Sequence, residues 1–260
     1  MNWISNNLDL IASSTGAHLA QALPPILLAF VLSLPLAKLA NSRGWLRAGV
    51  TTTSGLMYAI PSLPLFVLLP GLLGTGFRSP LNIVIALTLY GLALMVPAAS
   101  DAFRSVDRDV LRSATAQGYA PMARFFGVEL PLAGPVLLAG LRVVAVSTVS
   151  LVTVGGVLGV SSLGMLFIDG FRRGIQAEIL TGVILTAVLA LLLDGLLVLV
   201  GRALMPWIRQ GNRTRRDGRT RRDGRTRREG LARRPRSSGT SGQTGPTDGP
   251  APVARPEVTA

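Results

Sequence analysis

The chain has 260 residues, 49% of them hydrophobic and only 15% charged, with a mean hydropathy of +0.47. About a quarter of the residues in an ordinary soluble domain are charged, so this balance excludes one and describes an integral membrane protein. The formal charge of +13 is unevenly placed: 14 Arg and 5 acids from Arg209 onward give that tail +9, leaving +4 on everything before it. The absence of cysteine excludes a disulfide framework and thiol chemistry.

Residues 1–18 form a short, mildly amphipathic lead without a basic n-region, expected to lie along the outer interface and not to be a cleavable signal peptide. Residues 19–40 are the first predicted span, long enough for the roughly 20 residues a bilayer requires, with Pro24, Pro25 and Pro35 inside it. Residues 51–73 are the second, carrying Pro61, Pro64 and Pro70, and residues 81–99 the third. A polar stretch at 100–130 separates the third span from the fourth at 131–160, which loosens into Gly155, Gly156 and Gly159. Residues 169–178 read as a polar loop, and 179–200 as the fifth span.

Five spans put the two ends on opposite sides. Lys38, Arg43, Arg47, the arginines between Arg104 and Arg124, and the tail then share one face. The other face holds only Arg78, Arg172 and Arg173. Short basic loops stay in the cytoplasm, which predicts an external N-terminus and a cytoplasmic C-terminus. Residues 213–230 repeat as RTRRDG, RTRRDG, RTRREG and are followed by a Pro-, Gly- and Ser-rich end. Such a segment has few large apolar residues to bury and is expected to be a disordered basic tail, residues 209–260, lying against anionic lipid. No aromatic residues interleave its arginines, so no nucleic acid is expected as a partner.

The polar stretch is the distinctive part. Arg112-Ser113-Ala114 leads to Gly118, where a glycine suits the left-handed residue past a helix end. Met122, Phe125 and Phe126 then recur at helical spacing on a second short helix, which Leu130-Pro131 closes before the next span opens. Order and spacing resemble the cytoplasmic coupling loop of bacterial binding-protein-dependent ABC importer permeases, the MetI-like transmembrane domain. That family reads Glu-Ala-Ala, three residues, Gly, nine residues, then Ile-x-Leu-Pro. Here Arg112 stands at the usual Glu, Ser113 at the first Ala, and Val128-Glu129-Leu130-Pro131 at the final block. Residues 60–66 (IPSLPLF) and 161–164 (SSLG) resemble the family's osmoprotectant branch for glycine betaine, carnitine, choline and proline betaine.

The resemblance covers about residues 19–200 and implies an all-α integral membrane fold, the five-span helical core of a type I ABC importer permease. It implies a second permease, the same chain or a paralogue, a cytoplasmic ABC ATPase dimer that binds ATP and Mg, and an extracytoplasmic solute-binding protein. It assigns ATPase coupling to Arg112, Ser113, Ala114, Gly118, Phe125, Phe126, Glu129, Leu130 and Pro131. Ser54, Tyr58, Ser62, Ser147, Ser150 and Thr153 are hydroxyl-bearing candidates for a translocation path, and such residues also join helices in membranes.

The chain carries no phosphate-binding GxxxxGK[ST] loop around its single lysine, Lys38, so no ATP hydrolysis and no bound cofactor are expected of it. Asp101, Asp107 and Asp109 lack metal-ligand spacing, and they read as a boundary of the coupling helix and not as an enzyme's acids. The lone His18 is expected at the outer interface. Asp194 is expected to pair with Arg202, and Arg142 to snorkel to the interface or to reach Glu129. A methionine or other amino-acid importer would share this architecture. A membrane scaffold using the basic tail is the remaining alternative.

Overall fold

The structure is a computed structural model that describes residues 2–206. The Arg repeats and the rest of the tail lie outside the described residues. Within them the chain is helical and has no strand. Four helical stretches are long and apolar enough to cross a membrane, and a bent helix pair makes a fifth.

A short helix, α1 (Asn2–Asn6), stops at Asn7, whose backbone leaves the helical region. Helix α2 (Leu8–Ala40) then runs for 33 residues, about 50 Å at 1.5 Å per residue. The first span was expected from residue 19, but nothing between Leu8 and His18 breaks a helix, so most of the expected interfacial lead is part of α2.

The second expected span is broken. Helix α3 (Gly44–Ala59) and helix α4 (Ser62–Leu73) meet at 98°. The cause is Pro61, which pushes the preceding Ile60 to an extended ψ of 127° and withholds an amide donor. The hydroxyl of Tyr90 donates to the carbonyl of Ile60 and satisfies the break, and the Tyr58 ring meets Tyr90 edge-on with centroids 6.2 Å apart.

Helix α5 (Pro80–Arg104) is the most enclosed span, with 56% of its apolar window buried. Small residues let its neighbours approach closely, as membrane helices require when lipid is as apolar as the core. A Cβ on Gly91 would sit 2.6 Å from the Ala29 methyl of α2. Past the polar stretch, helix α8 (Leu130–Val152) crosses α5 just as closely, and a Cβ on Gly140 would lie 2.8 Å from that of Ala98. Buried Ala22, Ile26, Leu87 and Val149 form one apolar cluster between these helices, and Ala37, Met95, Ala99, Phe103 and Leu137 form another.

Helix α8 tightens into a 3-10 turn at Thr153–Leu158. Thr153 turns its amide to Ser150, so the carbonyl of Val149 loses its helical donor. His18 supplies one through Nε2 at 3.0 Å. The expected interfacial histidine is therefore fully buried, and it staples α2 to the end of α8. One turn on, Gln21 donates to the carbonyl of Ser161 at 2.7 Å.

The stretch expected as a polar loop is helical except at Gly174 and Ile175. Helix α9 (Leu163–Arg173) is capped by the Ser162 hydroxyl, which accepts from the Gly164 amide at 3.2 Å, and it ends at Gly174 with φ 68°. Helix α10 (Gln176–Leu204) follows and buries only 6% of its apolar window, so its leucines need an apolar surrounding. Its Asp194 carboxylate accepts two hydrogen bonds from Arg142 of α8, at 2.6 and 2.7 Å. This replaces both the expected Asp194–Arg202 pair and the expected roles of Arg142. Each charge has its own bidentate partner within the membrane, as scarce intramembrane ions need.

The tightest crossing is between the 3-10 turn and α9, where a Cβ on Gly164 would lie 2.0 Å from the backbone oxygen of Thr153. Gly55 in α3 has nothing within 4 Å of such a Cβ. Gly164→Ala should sharply lower the apparent melting temperature or abolish folding. Gly55→Ala should leave it unchanged or raise stability by about 1 kcal/mol through helix propensity. Thermal unfolding of the two variants in detergent checks the pair.

Candidate functional site: the polar segment between the third and fourth spans

Asp107 opens helix α6 (Arg108–Ala116), its carboxylate accepting from the Asp109 amide at 2.8 Å. The acids thus bound the helix, which starts one turn before the predicted Arg112. Leu111 and Ala114 turn inward, Ala114 being 6% exposed, while Arg112, Ser113 and Ala116 face outward. At the far end Gly118 has φ 88°. The Gly118 amide donates to the Thr115 carbonyl at 3.0 Å and the Tyr119 amide to Ala114 at 3.2 Å, the paired bonds of a Schellman cap. No heavy atom lies within 4 Å of a Cβ built on Gly118, so backbone conformation alone calls for glycine there.

Pro121 starts the second short helix, α7 (Pro121–Arg124). The predicted closure at Leu130-Pro131 does not occur. The chain passes through a π-helical turn at Phe125–Glu129, in which the Leu130 amide reaches back to Phe125, and continues directly into α8. Pro131 has no amide to give the preceding turn, and the ladder shifts register just before it.

This turn places Glu129 inside the protein, its side chain 4% exposed. Lys38 from the end of α2 donates to both of its carboxylate oxygens. The ammonium also lies 5.9 Å from the Phe103 ring centroid and 5.6 Å from that of Phe125, within reach of both π faces. Phe125 packs on Phe103 at 5.6 Å and on Phe126 at 5.1 Å, and Phe126 remains 62% exposed. One turn beyond Lys38, the Asn41 side chain and Ser100 of α5 exchange hydrogen bonds: Asn41 donates to the Ser100 carbonyl at 3.0 Å, and the Ser100 hydroxyl donates back at 2.7 Å. The segment is therefore tied to α2 by the Lys38–Glu129 contact and to α5 by the Phe103–Phe125 packing, while Asn41 and Ser100 join α2 to α5 beside it.

Lys38, Asn41 and Ser100 were not among the predicted site residues. A usable signal existed for one pair: a single lysine and an acid flanked by apolar residues, each needing an opposite charge. The six hydroxyl candidates are not drawn together. Ser54 is buried and lines an apolar cavity of about 440 Å³ with Leu36, Trp45 and Met57. Tyr58 contacts Tyr90, Ser62 starts α4, and the Thr153 hydroxyl bonds the Ser150 carbonyl at 2.6 Å. Among the described residues no hydrogen bond joins the α3–α4 hydroxyls to Ser147, Ser150 or Thr153, and no group of His, Asp and Glu could hold a metal ion.

Residues 29–210 match the family described as binding-protein-dependent transport system inner membrane component. The chain belongs to this family. The permease is 28% identical over 200 residues to the osmoprotectant import permease protein OsmW of Salmonella typhimurium, covering 76% of this chain and 93% of that one. It is 28% identical over 207 residues to the choline transport system permease protein OpuBD of Bacillus subtilis, covering 79% and 90%. A Helicobacter pylori relative, the ergothioneine transport permease/ergothioneine binding protein EgtU, is 32% identical over 148 residues, 57% of this chain but 26% of its own length. Among solved structures, the inward-facing MetNI methionine ABC transporter superposes with a TM-score of 0.67 at 21% identity, covering 76% of the permease and 97% of that chain. This likeness shows the fold, that of a type I ABC importer permease, and the family is one of inner membrane components.

The Lys38–Glu129 contact is half-buried, whereas Arg47–Asp101, at 3.6 Å, is exposed on both sides. Lys38→Met should cost about 1.5–3 kcal/mol, because it strands a buried carboxylate, and Arg47→Met less than about 1 kcal/mol. The difference between their apparent melting temperatures measures this.

Proposed function

We propose that the permease carries small quaternary-ammonium osmoprotectants of the glycine betaine, choline and carnitine kind into the cell, as one of two permeases in an ABC importer. The observation that carries this reading is the group of full-length relatives. Over more than three quarters of the chain, the permease resembles proteins named for osmoprotectant, choline, carnitine and glycine betaine transport.

In this reading a partner ATPase dimer holds ATP and Mg, and an extracytoplasmic binding protein delivers the solute. Segment 107–131 faces the cytoplasm and engages the ATPase. The exposed Arg112, Ser113 and Ala116 and the Gly118 cap form its outer surface, and Phe125, Glu129, Leu130 and Pro131 form its root. The gathering of Lys38, Arg47 and the α6 arginines at one end of the helices supports a cytoplasmic location for that end. ATPase closure would move α6, and the Lys38–Glu129 contact would pass that movement to α2 while the π turn passes it to α8. Docking of the loaded binding protein supplies the differential affinity for the outward-facing state that such a shift needs.

ATP-dependent uptake into proteoliposomes tests the proposal, using the permease with the ATPase, second permease and binding protein encoded beside it. Labelled glycine betaine and choline should accumulate and methionine should not. Gly118→Val, whose β-branched side chain a left-handed turn disfavours, should reduce uptake at least about tenfold while the permease still inserts and folds. Methionine uptake alone would reject the substrate class.

A further inference from the structure

Helix α6 carries Arg108 and Arg112 one turn apart, and like charges at that spacing repel each other across the helix surface. Arg124 of α7 reaches back to them, its Nη1 donating to the Thr115 hydroxyl at 2.8 Å while its buried Nε has no partner. Together with Leu111, Thr115 and Ala116 these three arginines line a shallow groove of about 570 Å³. Asp109, 3.1 Å from Arg112, is the one carboxylate bonded to the trio among the described residues, and that pair is more than three quarters exposed. The other nearby acid, Asp107, is engaged in capping α6. Among the described residues no further carboxylate bonds to these three guanidinium groups.

We infer that this groove receives an acidic surface of the partner ATPase, a contact of opposite polarity to the one that a glutamate at position 112 would make. The inference rests on the importer reading and adds the chemistry of the partner. The groove combines three guanidinium groups, whose planar forks suit carboxylates, with an apolar floor at Leu111 and Ala116. Tyr119 and Met122, which follow α6 in the chain, leave further apolar surface exposed at 46% and 72%. A folded protein surface presents carboxylates and apolar side chains together, as this combination requires, and the charge makes the pairing selective against an ATPase whose groove is basic.

The test titrates the ATPase subunit encoded beside the permease against the full-length permease pair in nanodiscs of neutral phosphatidylcholine. Wild type should bind and weaken as salt rises from about 0.05 to 0.5 M. The combined Arg108→Gln, Arg112→Gln and Arg124→Gln variant should bind about tenfold more weakly with a flattened salt dependence. Arg43→Gln, an exposed arginine on the neighbouring loop, should change nothing. Arg112→Glu keeps the contest decisive should the triple variant fold poorly: it should bind more weakly than Arg112→Gln. Tighter binding by Arg112→Glu would mean a basic ATPase groove and overturn the inference. Unchanged affinity of a folded triple variant would also overturn it, leaving the importer reading intact. A loss seen only when phosphatidylglycerol is added would assign the arginines to lipid and overturn it too. No binding of the ATPase to wild type would remove the importer reading itself.

Discussion

The contact between Lys38 and Glu129 is the constraint on which the rest of this end of the molecule depends. Burying a carboxylate to 4% exposure is costly unless a cation meets it, and the lysine that does so sits at the end of the longest described helix. The π turn exists at the place where the chain must both present Glu129 inward and run on through Pro131 without a free amide. The two phenylalanine rings that flank the ammonium shield the pair and fill the space between α5 and the turn. A segment that reads as a loop between spans is thereby made a rigid extension of α8, fastened to α2.

The same logic governs the opposite end of α2. His18 and Gln21 take up carbonyls that the 3-10 turn and the segment after it leave without helical donors. In an apolar surrounding an unmet carbonyl costs several kcal/mol, so irregular backbone is tolerated only where a neighbouring helix supplies a donor. Tyr90 does this at the Ile60 break, and near the Lys38 end the Asn41 and Ser100 side chains join α2 to α5 directly. Helices α2 and α5 therefore act as the frame, and the breaks in α3–α4 and after α8 are where the fold departs from straight spans.

Much of this was legible in the sequence. Apolar length gave the spans, the position of Gly118 gave a left-handed helix end, and the glycines after Thr153 gave the loosening of α8. Two departures share one cause: pairing across distant parts of the chain has no local signature. His18 read as interfacial because its partner, the Val149 carbonyl, is created by a change in helix type 131 residues away. Asp194 was matched to the nearest arginine in sequence, whereas the geometry selects Arg142 across the helix pair. The closure expected at Leu130-Pro131 failed because a π turn absorbs what a proline otherwise interrupts. The hydroxyl candidates were chosen by residue type, and type alone does not say which face of a helix they occupy.

In the proposed importer, the Lys38–Glu129 contact carries movement from segment 107–131 into the membrane helices. The most direct measurement is the number of solute molecules imported per ATP hydrolysed by the reconstituted importer, for wild type, Lys38→Met, Glu129→Gln and the exchanged pair Lys38→Glu with Glu129→Lys. The account predicts that each single substitution leaves ATP hydrolysis running while uptake per ATP falls severalfold, and that the exchanged pair recovers a substantial part of the ratio. An unchanged ratio in the single variants, with both activities falling only in proportion to the amount of folded permease, would contradict it.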